Sequence, residues 1–190
     1  MVDQLLKLGA GVGLSLESLE RVDPKLGKSL TFDKSIKGFV DNRYLKIRAR
    51  DIAIGDLSDG GASGGDYAEW EFYATWRCDN PHKVRMEIYP QGLMNKIRKK
   101  FKKQKTETLD NHLVSLSNQK DFPLELLVEE YYAELLGDNN LSGKISITKD
   151  GVRYTEKVCL DSDETNARLI QIITILRELA EMLDKWAPLH

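Results

Sequence analysis

A period of two constrains this chain more than any other feature. In Tyr44-Leu45-Lys46-Ile47-Arg48-Ala49-Arg50, apolar side chains alternate with tyrosine, lysine and arginine. Successive side chains of a strand point to opposite faces, so the pattern describes a strand buried on one side and wet on the other. The alternation returns with Trp70, Phe72, Ala74 and Trp76 against Glu69, Glu71, Tyr73 and Thr75. It returns again with Val84, Met86 and Ile88 against Arg85, Glu87 and Tyr89. Half-buried strands of this kind belong to antiparallel sheets, because parallel sheets are covered on both faces. Asp79-Asn80-Pro81 is turn chemistry. His112–Ser117 reads as a further strand, and Asp150-Gly151 as the turn of a hairpin over Lys144–Val158.

A second period, of 3.6, marks the helices. Leu169, Ile172, Leu176, Leu179, Leu183 and Trp186, widened by Ile173 and Ala180, form an apolar stripe. Asp161 or Ser162 stands where a cap is needed, with Glu164 placed for a capping box. The stripe spans fewer than three heptads, so it is expected to bury against the protein's own sheet rather than to form a coiled coil. Two inserted helices are expected. One runs from Gly92 to Gln104; the other follows Asp121 and Pro123, carries Leu124, Leu127, Val128, Tyr131 and Leu135, and stops at Gly137.

These elements predict an α+β fold: an antiparallel meander sheet packed by a long C-terminal amphipathic helix, with two inserted helices. A pleckstrin-homology-like or helix-grip-like arrangement fits that order. The single α+β domain is expected over 35–190. Residues 1–34 are expected to be a poorly defined, partly mobile segment, because Gly9, Gly11 and Gly13 weaken the short helix that Leu5, Leu6, Leu8 and Val12 suggest. Their spacing is not the dinucleotide fingerprint, which also needs a preceding strand.

The two cysteines, Cys78 and Cys159, lie far apart and form no CxxC pair, which fits a reducing compartment. No signal-peptide pattern opens the chain, and no apolar run reaches the ~20 residues of a membrane span. The expectation is a cytoplasmic protein without a transmembrane segment.

Charge is distributed unevenly. Lys96, Arg98, Lys99, Lys100, Lys102, Lys103 and Lys105 place seven basic residues in ten, with no acid among them. Without them 21 basic residues face 30 acidic ones, a net −9 against −2 for the whole chain. Like charges at helical spacing repel by a few tenths of a kcal/mol per pair, so an anion nearby relieves them. Anionic lipid and RNA phosphates are two such anions. The third is the chain itself: Asp121 to Asn140 holds six acids and no base, with Glu125, Glu129, Glu130 and Glu134 as its centre. Internal or homotypic pairing of these segments ranks first, a solvated basic face second.

The remaining chemistries are weaker. Glu69 and Glu71 share one strand face, as paired hydrolase carboxylates would. The neighbouring Lys46, Arg48 and Arg50 offer a structural explanation, since opposite charges across strands stabilise a sheet. Tyr44, Tyr73 and Tyr89 beside Arg77 and Arg85 resemble a base-stacking surface, although tyrosine is common on strands for its β-propensity. Cys78, His82, His112 and Cys159 lack the two close pairs of structural zinc. Asp56, Asp59 and Asp66 lack calcium-loop spacing. No catalytic residue, metal or cofactor is assigned.

From Gly38 onward the order of features resembles an uncharacterised prokaryotic domain family. The features are a strand pair around Gly38 and Arg48, Asn80-Pro81, a basic segment, Val114-Ser115-Leu116-Ser117, the Leu124–Leu136 helix, the Asp150-Gly151 hairpin and a leucine-rich terminal helix. The resemblance implies an accessory or binding role. The expected function is a non-catalytic binding or regulatory domain acting through protein–protein association. The alternatives are a hydrolase-type enzyme on the polar sheet face, and peripheral binding of anionic lipid or RNA.

Overall fold

The structure is a computed structural model that describes residues 2–22, 33–51, 70–90, 106–109, 113–117, 142–160 and 162–186. Among the described residues nine antiparallel strands form one sheet: β1 (Ser15–Val22), β2 (Asp33–Val40), β3 (Arg43–Asp51), β4 (Trp70–Trp76), β5 (Met86–Pro90), β6 (Thr106–Leu109), β7 (Leu113–Ser117), β8 (Lys144–Thr148) and β9 (Gly151–Val158). Helix α1 (Val2–Gly11) precedes them and α2 (Asp163–Lys185) follows. The expected α+β class and antiparallel sheet are present. Among the described residues no helix is long and apolar enough to cross a membrane.

The spatial order is β1-β2-β3-β4-β9-β8-β5-β7-β6, so the expected meander holds only as far as β4. The C-terminal hairpin β8–β9 inserts between β4 and β5. Residues 77–85 carry the chain past it, and Asn80 ties that passage down. Its buried side-chain amide donates to the carbonyls of Val84 (2.8 Å) and Thr148 (2.9 Å) while its oxygen accepts from the Val84 N–H (2.9 Å). The connection is therefore bonded to the end of β8.

The alternation assigns the faces as expected. Leu45, Ile47, Ala49, Phe72, Ala74, Trp76, Met86 and Ile88 are buried, and Tyr154, Ile145 and Ile147 join them. Helix α2 packs over β9 and β4, burying Leu169, Ile172, Ile173, Leu176, Leu179 and Leu183. The Trp76 indole N–H donates to the Ile173 carbonyl at 2.7 Å, which satisfies the one polar atom of a buried ring. Ser162 is the N-cap: its Oγ accepts from the Thr165 N–H at 3.1 Å. That cap places Glu164 one residue short of the capping-box position, so the expected reciprocal bond gives way to a Ser162–Thr165 hydroxyl contact of 2.8 Å.

Residues 1–34 differ most from expectation, because α1 and β1 occupy much of that segment. A ten-residue helix is marginal alone, and α1 draws its stability from packing. Leu5 and Leu8 are fully buried, and the glycines that lower its propensity permit the approach. A Cβ on Gly9 would stand 2.8 Å from Ile36 Cδ1, and one on Gly11 would stand 2.3 Å from Ile170 Cδ1. The expected helices over Gly92–Gln104 and after Asp121 lie outside the described residues.

Candidate functional site

The polar face of the sheet is a lattice of opposite charges set by strand register. Arg50 of β3 stands opposite Glu71 of β4, which stands opposite Lys157 of β9. The next row along the same face is Arg48, Tyr73, Thr155 and Lys144. Arg48 and Asp33 form a two-pronged pair, Nε to Oδ1 at 2.7 Å and Nη2 to Oδ2, and the guanidinium lies 5.5 Å from the Tyr73 ring centre. Glu20 of β1 takes Lys37 at 2.7 Å and Lys46 at 3.5 Å. Mutual hydrogen bonding lowers the Glu20 pKa and raises that of Lys37.

The structure brings the three expected tyrosines to this face, each with a cation. Arg77 lies 5.5 Å from the Tyr44 ring, and exposed Phe39 meets Tyr44 edge-on at 5.6 Å. Lys144 lies 5.6 Å from the Tyr89 ring and 3.1 Å from Glu87, to which Tyr89 donates its hydroxyl. Burial first, then the hydrogen bond to Glu87, raises the Tyr89 pKa; burial and Glu71 do the same for Tyr73. Both phenols therefore stay protonated at neutral pH and can donate hydrogen bonds. Arg85 is exposed in the turn before β5.

A cavity of about 400 Å³ opens at one end of this face, between Glu71, Tyr89, Lys144, Thr155, Glu156 and Lys157. Its volume is at the lower end of small-molecule sites. Glu156 is the exception to the alternation of β9, because it points to the helix side and is 5% exposed. Arg168 of α2 meets its carboxylate at 2.7 Å, and the Tyr154 hydroxyl donates to it at 2.8 Å. The Gly143 N–H in turn donates to that hydroxyl at 3.0 Å. Every member of this buried network has a partner, which makes it a rigid tie between β9 and α2 on the helix side of the sheet.

Of the residues singled out from sequence, Glu71, Arg48 and Arg50 lie together as neighbours on β3 and β4. Lys96, Arg98, Lys99, Lys100, Lys102, Lys103 and Lys105 lie outside the described residues, as do Glu125, Glu129, Glu130, Glu134, Glu69 and His112. Cys78 is buried, and its thiol is pushed up to about 11 by burial, then by the Asp184 charge. His82 meets Trp186 edge-on at 5.3 Å. Among the described residues no three His, Cys, Asp or Glu side chains group as metal ligands. Glu156 and Arg168 escaped the sequence reading, although a glutamate at a core position of a strand demands a cation. No family model, curated protein or solved structure matches the chain.

Proposed function

We propose that this chain is a non-catalytic binding or regulatory domain that works through protein–protein association, homotypic association included. The observation that carries the reading is the edge of the sheet at β1. This strand pairs only with β2 among the described strands, and it presents Leu16 at 49% and Leu19 at 47% exposure. An open edge with apolar side chains is a template for another chain. The sequence adds a second source of attraction: +7 over Lys96–Lys105 and −6 over Asp121–Asp138.

The reading treats the architecture as helix-grip-like, supported by the packing of α2 over β4 and β9. It places the protein in the cytoplasm, supported by two unpaired cysteines. The test is mass against concentration by analytical ultracentrifugation, for the wild type and for a variant with Lys99, Lys100, Lys102 and Lys103 changed to glutamate. Association of the wild type supports the reading, and a single mass at every concentration, with no protein captured, overturns it. Salt-sensitive retention of the wild type on anionic vesicles or RNA, lost in the variant, transfers the basic segment to those ligands.

The cavity favours a second reading, a site for a small polar molecule. Lys144 and Lys157 supply cations, Glu71 an anion and Thr155 a hydroxyl. A hydrolase built on Glu71 and Arg48 belongs to this reading. Any activity that survives Glu71→Gln would remove it.

A further inference from the structure

Aromatic and basic residues of the polar sheet face converge at the end away from the cavity. Phe39, Tyr44 and Arg77 form one row across β2, β3 and the end of β4: Phe39 pairs with Tyr44, and the Arg77 N–H donates to the Tyr44 carbonyl at 3.0 Å. The two rings meet edge-on at 5.6 Å, and the Arg77 guanidinium lies 5.5 Å from the Tyr44 ring centre. Phe39 is 45% exposed. Leu16 and Leu19, opposite Gly38 and Ile36 in register, turn to the helix side, whereas Phe39 presents its ring on the polar face. Next to Arg77 lies Gly151, where a Cβ would stand 1.9 Å from the Trp76 carbonyl. At that point β9 therefore sets no side chain beside the guanidinium.

The cations of this face are not equally available. Lys37 and Lys46 share Glu20, and Glu17 adds to the negative charge around Lys37. Asp33 holds Arg48, and Glu87 holds Lys144. Arg77 and Arg153 are exposed, and among the described residues neither forms an ion pair. Arg153 donates its Nε–H to Thr75 Oγ1 at 3.1 Å, which uses one of its five N–H donors. Thr75 pairs with Arg153 and precedes Arg77 by two residues, so the two arginines are diagonal neighbours, about 7–8 Å apart at their backbones. Two cations without an acid, beside an exposed ring, match a ligand that carries anions and flat π-faces together. A nucleotide strand has that chemistry: phosphates take the guanidiniums, and unpaired bases stack on aromatic side chains. An acidic peptide supplies the anions without the rings, and a duplex hides its base faces.

We propose that this end of the polar face binds single-stranded nucleic acid, with bases stacked on Phe39 and Tyr44 and phosphates held by Arg77 and Arg153. The surface is an open sheet rather than a closed pocket. A lone nucleotide would leave most of its area in water there, whereas a strand crossing β2, β3, β4 and β9 gains from each contact. Stacking and phosphate contacts carry no base code, so little sequence preference is expected. The inference goes beyond the association reading, does not depend on it, and uses none of the residues of Lys96–Lys105.

The test is fluorescence anisotropy of labelled oligo(U) and oligo(dT), about 12 nucleotides long, titrated with the full chain across roughly 20–200 mM salt. Binding is expected at low salt, with log K falling against log salt at a slope of about −1.4 or steeper, the value for two phosphates of a single strand. Phe39→Ala should weaken binding at least about fivefold, the loss of one stacked base, and Phe39→Trp should retain it. Arg77→Gln and Arg153→Gln should each flatten the slope by about 0.7. All three side chains are exposed, and far-ultraviolet circular dichroism establishes that each variant is folded. No binding by the wild type up to roughly 100 µM overturns the proposal. Binding that these variants leave unchanged also overturns it; its loss on changing Lys99, Lys100, Lys102 and Lys103 to glutamate would then assign it to that segment. A duplex of equal length, or polyglutamate, bound as tightly as the single strand overturns it too, because neither offers free base faces. Uridine monophosphate that displaces the strand at equal concentration would overturn the strand as ligand. Failure on any of these counts leaves the association reading standing, because mass decides that one.

Discussion

Arg168→Met is expected to destabilise the fold by about 3 kcal/mol, the largest effect foreseen for a single change of a polar residue here. Glu156 is 5% exposed, and its carboxylate has two protein partners, Arg168 at 2.7 Å and Tyr154 at 2.8 Å. Removing one partner of a buried ion pair strands the other charge, at about 3–5 kcal/mol. The Arg168 side chain is 19% exposed, so water reaches part of the vacated space and the lower figure applies. With a urea m-value of about 2 kcal/mol/M, the denaturation midpoint should fall by roughly 1.5 M. Adding Glu156→Gln to Arg168→Met removes the stranded charge and keeps an acceptor for Tyr154, so most of the loss should return. A double variant as unstable as Arg168→Met would refute the stranded-charge argument and assign the loss to packing of the arginine stem. A single-variant loss below about 1 kcal/mol would refute the pairing itself.

Two further changes probe local features. Ser162→Ala should lower stability by about 1 kcal/mol in thermal or urea melts, because the Thr165 N–H loses its acceptor at 3.1 Å; Ser162→Asp should retain most of it. The raised pKa of Cys78 fixes the sign of an alkaline effect. The folded chain favours the neutral thiol, so this stabilisation is complete below the ordinary value of 9.0 and is lost as pH rises toward about 11. Cys78→Ser should flatten that part of the stability profile, and an unchanged slope would contradict the burial argument.

Strands were legible wherever one face is dry and the other wet. β3 and β4 alternate cleanly, and the basic residues of one strand fall beside Glu71 of the other as the pattern implied. Strand order was not legible, because it depends on a connection. Asn80 bonds Val84 and Thr148 across 68 residues of sequence, and no periodicity encodes such a bond. Helix α1 was hidden by the propensities of Gly9 and Gly11, whose value lies in contacts with Ile36 and Ile170. The Glu156–Arg168 pair was obscured for the opposite reason. Glu156 breaks the alternation of Val152, Tyr154 and Val158, a visible signal whose meaning depends on Arg168 arriving from α2.

Glu71 separates the structural from the chemical reading of the polar face. Arg50 and Lys157 flank it in register, so on the structural reading Glu71→Gln removes two exposed cross-strand attractions, about 0.5–1 kcal/mol in sum and weakened by salt. Tyr73 supplies an independent readout. Its pKa is raised from 10.0, by burial first and by the Glu71 carboxylate next. Replacing the carboxylate by an amide removes the charge that opposes phenolate formation, so Tyr73 should ionise at lower pH while Arg48 beside it continues to favour the anion. Ultraviolet titration of Glu71→Gln, with Tyr73→Phe to identify the transition, measures that fall directly. An unmoved transition would mean that Glu71 does not engage Tyr73, leaving the carboxylate free to face the cavity and strengthening the small-molecule reading. A downward shift with a small, salt-sensitive stability loss would make Glu71 a strut of the sheet.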